Sequence, residues 1–257
     1  MKRQKVAPSS LGGGVQTGTL YLVPTPLGNW GDMTCRALEV LKTCDVIACE
    51  TPMVARKLLQ HFQIPPKPIF VYRDAGEIKS AVGLMDRLQK GCSLALVGDA
   101  GTPNISDPGF RLVNGCRKRG IPVVALPGPC AAITALSASG LPTDKFIFLG
   151  FLSPKGGPRR RMLETYLRME VTLIIYESPF RLISFLALTE TLVGPHRIIC
   201  LAHEISKCHE SYHFGRLGEV RREIESLPRP KGEYVVLVAP EKFSDIDHPF
   251  DGKESSS

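Results

Sequence analysis

Ser93-Leu94-Ala95-Leu96-Val97-Gly98-Asp99-Ala100-Gly101-Thr102-Pro103-Asn104-Ile105-Ser106-Asp107-Pro108-Gly109 is the stretch whose reading decides the fold. Residues 93–97 form a short apolar run that reads as a buried strand, and residues 110–119 carry a helical period. The expected cap of that helix is Ser106 or Asp107, with Pro108 at its first position. A strand feeding a helix is half of a βαβ unit. In an open α/β sheet the turn between them lies at the carboxyl end of the strand, where ligands collect. Residues 98–109 hold three glycines, two prolines and two aspartates, more than a plain connection needs. A wide capped turn and a ligand-binding loop are both compatible with that composition.

Upstream, residues 19–23 read as a strand that breaks at Pro24-Thr25-Pro26-Leu27-Gly28-Asn29. A dinucleotide-binding protein would show GxGxxG here. The two prolines instead remove N–H donors that a pyrophosphate cradle uses, which speaks against a nicotinamide or flavin enzyme. Asp32 is the expected cap of a helix through Lys42, with Ala37, Leu38 and Leu41 inward. Strand 45–48, helix 54–61, strand 69–72 and helix 77–88 then lead to the opening stretch, and this alternation predicts a parallel sheet.

Downstream, strand 121–126 ends in Pro127-Gly128-Pro129-Cys130-Ala131-Ala132. A helix over 131–139 follows, poor in large side chains, which allows a ligand or a backbone to come close. After an apolar strand at 146–152, residues 153–158 have linker composition. The expected organisation is a tail at 1–17, a first domain at 18–152, a second at 159–240 and a polar tail at 241–257. The second domain reads as helix 159–168, strand 171–176, a helix capped by Ser178 with Pro179 first and running to 192, strand 197–202, helix 217–226 and strand 234–239.

The 257 residues are 43% hydrophobic and 22% charged, ordinary for a soluble globular protein, and no apolar run reaches bilayer length. Eight cysteines are scattered without a CxxC pair, the pattern of reduced thiols in the cytoplasm. Cys200, His203, Cys208 and His209 match no established ligand spacing, so no metal is expected. The formal net charge of +7 permits a polyanionic partner. Its basic residues concentrate at Lys155, Arg159, Arg160 and Arg161, with smaller groups at Arg216, Arg221 and Arg222 and at Arg229 and Lys231.

Read together, several ordered stretches carry a resemblance: Gly18-Thr19-Leu20-Tyr21-Leu22-Val23-Pro24-Thr25-Pro26-Leu27-Gly28-Asn29, the 98–109 loop, Leu126-Pro127-Gly128-Pro129, Ala135-Leu136-Ser137-Ala138-Ser139-Gly140-Leu141-Pro142-Thr143-Asp144, Phe148-Leu149-Gly150-Phe151-Leu152, Tyr176-Glu177-Ser178-Pro179 and Glu204-Ile205-Ser206-Lys207. From about residue 18 to 240 the chain resembles the tetrapyrrole methylase family, and within it the members that modify ribosomal RNA. The resemblance implies two α/β domains, with a mainly parallel sheet in the first and a mixed sheet in the second. It also implies S-adenosylmethionine in a cleft between the domains, and a cytoplasmic homodimer. The implied reaction is methylation of the ribose 2′-hydroxyl of a cytidine in 16S rRNA, free or within the small ribosomal subunit. That cofactor has no phosphate, so the missing GxGxxG is no objection.

By the same resemblance the cofactor would meet Leu27, Asp99, Gly101, Thr102, Ala131, Ala132, Tyr176, Glu177 and Ala202. A ribose hydroxyl is a poor nucleophile and needs a base or a charge for its developing alkoxide. Glu50 and Glu77 are the candidates, with Asp74 behind them, and Asn29 and Arg56 could orient the ribose or phosphate. Glu204 and Lys207 would sit near the cleft, and Lys155, Arg159, Arg160 and Arg161 would meet RNA phosphates. The chain departs from the usual family pattern at Gly98, at Thr51-Pro52-Met53 and at Arg73-Asp74-Ala75-Gly76. These last two departures leave room for a catalytically silent RNA-binding relative with the same fold.

Overall fold

The computed structural model describes residues 15–73, 77–227 and 230–243. The chain divides into two compact units that meet in sequence at Cys130 and Ala131.

In the first unit, β1 (Leu20–Leu22), α1 (Cys35–Thr43), β2 (Val46–Cys49), α2 (Pro52–His61), β3 (Ile69–Val71), α3 (Glu77–Gln89), β4 (Leu94–Val97), α4 (Phe110–Lys118) and β5 (Val123–Ala125) alternate along the chain. The five strands form an entirely parallel sheet in the order β3-β2-β4-β1-β5. Successive residues of a strand face opposite ways. Tyr21, Ile47, Cys49, Ala95 and Val97 therefore pack with Ala37, Leu41, Leu58 and Leu59 of α1 and α2, while Leu20, Leu22, Ala48, Leu94 and Leu96 pack with Leu84, Leu88, Leu112 and Cys116 of α3 and α4. Burial on both faces explains why these strands read as continuous apolar runs.

The second unit contains α5 (Ala131–Ala138), β6 (Phe146–Phe151), α6 (Gly156–Tyr166), β7 (Thr172–Glu177), α7 (Leu182–Val193), β8 (Ile198–His203), β9 (Ser211–Arg216), α8 (Leu217–Ser226) and β10 (Tyr234–Val238). Its sheet is mixed, in the order β6-β7-β10-β8-β9, with β6 parallel to β7 and the other neighbours antiparallel. Leu173, Ile175, Val236, Val238, Ile199 and Leu201 face α6, α7 and α8 through Leu163, Phe185, Leu186, Val220 and Ile224. α5 packs on β7 and β10 from the other face.

Tertiary structure moves several boundaries that local signals predict. The helix after the 98–109 loop starts at Phe110 behind Gly109, with no side-chain cap, so neither Ser106 nor Asp107 caps it and Pro108 lies outside it. Asp32 ends a short 3-10 turn, and the cap of α1 is Thr34, whose hydroxyl accepts from Ala37 N–H at 3.1 Å. α7 starts at Leu182 rather than at Pro179, and α6 starts at Gly156, inside the expected linker. Residues 131–152 group with the second unit, because β6 completes the sheet beside β7. The edge strand β9 has no counterpart among the elements expected from sequence.

Candidate functional site

β4 sends its connection to one face of the first sheet, through α4, while its neighbours β1 and β2 send theirs to the other, through α1 and α2. The loops leaving adjacent strands therefore diverge beside the end of β4, the place where open α/β sheets bind ligands. Three loops meet there. Thr25 and Gly101 each donate their N–H to the other's carbonyl at 2.9 Å, an isolated antiparallel bridge between the β1 and β4 loops. Thr102 Oγ1 donates to Pro129 O at 2.7 Å, tying the β4 loop to the Pro127–Pro129 turn. A Cβ on Gly128 would stand 2.6 Å from Pro24 Cβ, so only glycine lets the β5 turn reach the β1 loop.

Gly101 sits in the left-handed region at φ 77°, and a Cβ there would stand 3.0 Å from Leu27 Cδ2. Asn104 and Ser106, at φ 71° and 59°, are left-handed without being glycine, strain of the kind that concentrates at binding loops. The Asp107 carboxylate fills the space that a side chain at Gly98 would need. Thus Leu27, Asp99, Gly101 and Thr102, four of the residues expected at the cofactor, lie on loops joined by these interactions.

Asp99 leaves β4 beside the end of β2, where Thr51 Oγ1 donates to its Oδ2 at 2.8 Å. Burial pushes the Cys49 thiol up to about 11, Asp99 adds to the effect, and Arg56 and Arg73 oppose it. Glu50, half-buried at the end of β2, has its carbonyl held by Arg73 Nε at 2.9 Å. Asn29 is exposed, and its Oδ1 accepts from Gly31 N–H at 2.9 Å. Glu77 begins α3, but its side chain, like the whole of Asp74, lies outside the described residues.

In the second unit, strand register separates the expected residues. Tyr176 and Ala202 each pair with Val235 of β10, and Phe151 pairs with Tyr176, so these side chains share the face that α5 covers. Tyr176 Oη accepts from Ala132 N–H at 3.0 Å, fixing the first turn of α5. Phe148 and Phe151 stand edge-on to its ring at 4.9 and 5.4 Å. Glu177 pairs with Tyr234 on the opposite face. There its Oε1 accepts from Arg181 Nε and Ser178 N–H, both at 2.8 Å. Any interaction of Glu177 on the α5 side would come from its backbone.

Glu204 and Lys207 lie in a turn whose Glu204 and Ser206 are left-handed, at φ 51° and 64°. Glu204 Oε1 takes Lys207 Nζ at 2.7 Å and Glu233 N–H at 3.0 Å. Burial works to raise the Glu204 carboxyl, but those two hydrogen bonds and the ammonium charge outweigh it and hold the group below its usual range. A carboxyl so lowered stabilises the fold above its unfolded-state value and loses that contribution as pH falls through the folded one. Lys207→Met is therefore expected to cost most near neutrality. Urea midpoints of variant and parent should converge on acidification, and a gap constant with pH would refute the assignment.

Of the four basic residues at the start of α6, Arg160 is engaged by Glu164 at 2.8 Å. Lys155 and Arg161 are exposed and Arg159 is half-buried, and these three have no carboxylate partner among the described residues. No described helix is long and apolar enough to cross a membrane.

Comparison with known proteins agrees with this architecture. The family model for Tetrapyrrole (Corrin/Porphyrin) Methylases matches residues 19–221. The chain is 47% identical over 235 residues to the ribosomal RNA small subunit methyltransferase I of Escherichia coli O157:H7, covering 91% of this chain and 82% of the relative. It is 49% identical over 220 residues to the protein of that name from Vibrio cholerae serotype O1, covering 85% and 76%. Among solved structures, the uroporphyrin-III C-methyltransferase of Thermus thermophilus, crystallised with S-adenosyl homocysteine, shares the fold. Its TM-score is 0.59 at 20% identity, over 86% of this chain and 97% of that one. With a family match over most of its length, and relatives nearly half identical, the chain belongs to the tetrapyrrole methylase family.

Proposed function

We propose that the protein is an S-adenosylmethionine-dependent methyltransferase acting on the ribose 2′-hydroxyl of a cytidine in the RNA of the small ribosomal subunit. The observation that carries the cofactor reading is the bridged β1–β4 loop pair. Gly101 brings bare backbone to Leu27, while Asp99 turns a carboxylate to the surface. An apolar wall, close backbone and an acceptor suit a nucleoside bearing an amino acid, and the two prolines of the β1 loop are harmless because no phosphate has to be bound. The residues present fit the group.

Within the first unit we assign Leu27, Asp99, Gly101 and Thr102 to the cofactor. Within the second we assign Ala131, Ala132, Tyr176, Ala202 and the backbone at Glu177. When bound, S-adenosylmethionine supplies an electrophilic methyl group on sulfur. The chain's task is then alignment and relief of charge, because in-line transfer gains most of its acceleration from positioning. Glu50 is the candidate to accept the ribose hydroxyl proton, with Glu77 as the second. Asn29 orients the ribose through its amide, whose oxygen is fixed by Gly31 N–H.

Lys155, Arg159 and Arg161 are the proposed phosphate ligands, with Arg160 partly neutralised by Glu164. Cytoplasmic action as a homodimer belongs to the same reading, and light scattering tests the dimer. Replacing Lys155, Arg159 and Arg161 together with alanine should weaken RNA binding and flatten its salt dependence, the log–log slope falling by roughly 0.7 for each phosphate left unneutralised. An unchanged slope would remove α6 from the interface.

The reading as a whole is tested by incubating the protein with methyl-labelled S-adenosylmethionine and either free 16S rRNA or assembled small subunits. The expected product is a 2′-O-methylcytidine located by nuclease mapping. Cofactor binding without transfer to either substrate would overturn it.

A further inference from the structure

Thr51 stands at the N-cap of α2, directly before Pro52 at the first helical position. By local rules its hydroxyl should accept from an N–H of the first turn and so stabilise the helix. It does not: α2 has no side-chain cap, and Thr51 Oγ1 instead donates to Asp99 Oδ2 at 2.8 Å. The capping group of α2 is given over to a residue 48 positions away. That bond joins the ends of the neighbouring strands β2 and β4. It also uses one oxygen of Asp99, and among the described residues the other oxygen has no hydrogen-bond partner.

We propose that Thr51 is a positioning residue for the cofactor's carboxylate ligand: its hydroxyl is diverted from capping α2 to fix the rotamer of Asp99, leaving Asp99 Oδ1 directed at a polar hydrogen of S-adenosylmethionine. A single donor on one carboxylate oxygen restricts the swing of the side chain, and the entropy of ordering Asp99 is then met before the ligand arrives. The hydroxyl suits this task because it is neutral and short.

The proposal rests on the cofactor reading above, and its test separates the two. S-adenosylmethionine and S-adenosylhomocysteine are titrated calorimetrically into the full chain and into Thr51→Ala, Thr51→Val, Thr51→Ser, Asp99→Ala and the Thr51→Ala/Asp99→Ala double variant. Thermal unfolding of each is followed without ligand. Thr51→Ala and Thr51→Val should weaken both ligands about tenfold, and Thr51→Ser should return to within about twofold of the parent. Ligand-free Thr51→Ala should unfold only slightly more readily than Thr51→Ser, since it loses the exposed hydrogen bond to Asp99 and no cap. In the Asp99→Ala background, removing Thr51 should have no further effect on affinity. Unchanged affinity in Thr51→Ala, failure of serine to restore it, or additive losses in the double variant would each overturn the role of Thr51. If the unmodified chain binds neither ligand, it is the cofactor reading that fails, and the positioning role falls with it.

Discussion

Gly101→Ala is expected to lower S-adenosylhomocysteine affinity at least tenfold while leaving most of the fold intact. Gly101 holds φ 77°, where an L-residue is disfavoured by roughly 1–2 kcal/mol. The new methyl would stand 3.0 Å from Leu27 Cδ2 and 3.6 Å from Pro129 O. Leu27 would have to yield by a few tenths of an ångström, away from the backbone it now covers. Both 2.9 Å hydrogen bonds to Thr25 depend on the same residue, so relaxing the strain by rotating Gly101 opens the β1–β4 bridge. A penalty of about 1.4 kcal/mol confined to the binding-competent loop is a factor of ten in affinity. Gly128→Ala supplies the comparison. Its Cβ would meet the rigid ring of Pro24 at 2.6 Å, and the loop cannot twist around that clash, so a larger loss of stability is expected there. Calorimetric titration with urea unfolding of the ligand-free proteins reads both quantities. Gly101→Ala binding as tightly as the parent would show that the bridge is scaffolding and not cradle.

How far the sequence reveals this site depends on which forces decide each part. The parallel first sheet is legible because its strands are buried on both faces and show as uninterrupted apolar runs between helical periods, and the loops at their carboxyl ends follow from that alternation. Caps are less legible. Ser106, Asp107, Asp32 and Thr51 all carry capping chemistry, yet none caps a neighbouring α-helix with its side chain. At Thr51 the reason is visible, because the long-range partner Asp99 competes for the same hydroxyl. β9 escapes a sequence reading because Ser211-Tyr212-His213-Phe214-Gly215-Arg216 lies at a sheet edge, where only one side of the strand is paired and polar residues are tolerated. The grouping of residues 131–152 with the second unit is equally hidden, since the pairing of β6 with β7 leaves no mark on the linker composition that follows it. The separation of Tyr176 from Glu177 is different, for it follows from strand geometry alone: adjacent residues face opposite sides, so their side chains cannot line one surface.

That separation leads to an asymmetric prediction. Arg181→Ala should destabilise the protein more than Glu177→Ala, and Glu177→Gln less than either. The Glu177 side chain is fully buried, whereas Arg181 keeps 27% of its side chain exposed, with Nη2 2.7 Å from the carboxylate. Glu177 Oε2 is sealed without a hydrogen-bond partner among the described residues. Removing the arginine therefore strands a buried carboxylate on the Ser178 N–H alone, a loss of roughly 3–5 kcal/mol by the general behaviour of broken buried pairs. Removing the glutamate strands a guanidinium that can turn toward water, so about 2 kcal/mol is expected. Glutamine keeps an acceptor for both donors, loses the charge, and puts its NH2 where Oε2 already lacks a partner. The Glu177→Ala/Arg181→Ala double variant should lose less than the sum of its parts, since neither charge is then left behind. Urea midpoints rank the four variants, and Arg181→Ala no worse than Glu177→Ala would contradict the buried-carboxylate account. Because Glu177 faces α7 and not α5, Glu177→Gln should leave S-adenosylhomocysteine affinity within about twofold of the parent. Tyr176→Phe removes the acceptor of the buried Ala132 N–H and should lower affinity, with about 1–3 kcal/mol also lost in unfolding. The opposite split would mean that the Glu177 side chain, and not only its backbone, reaches the ligand.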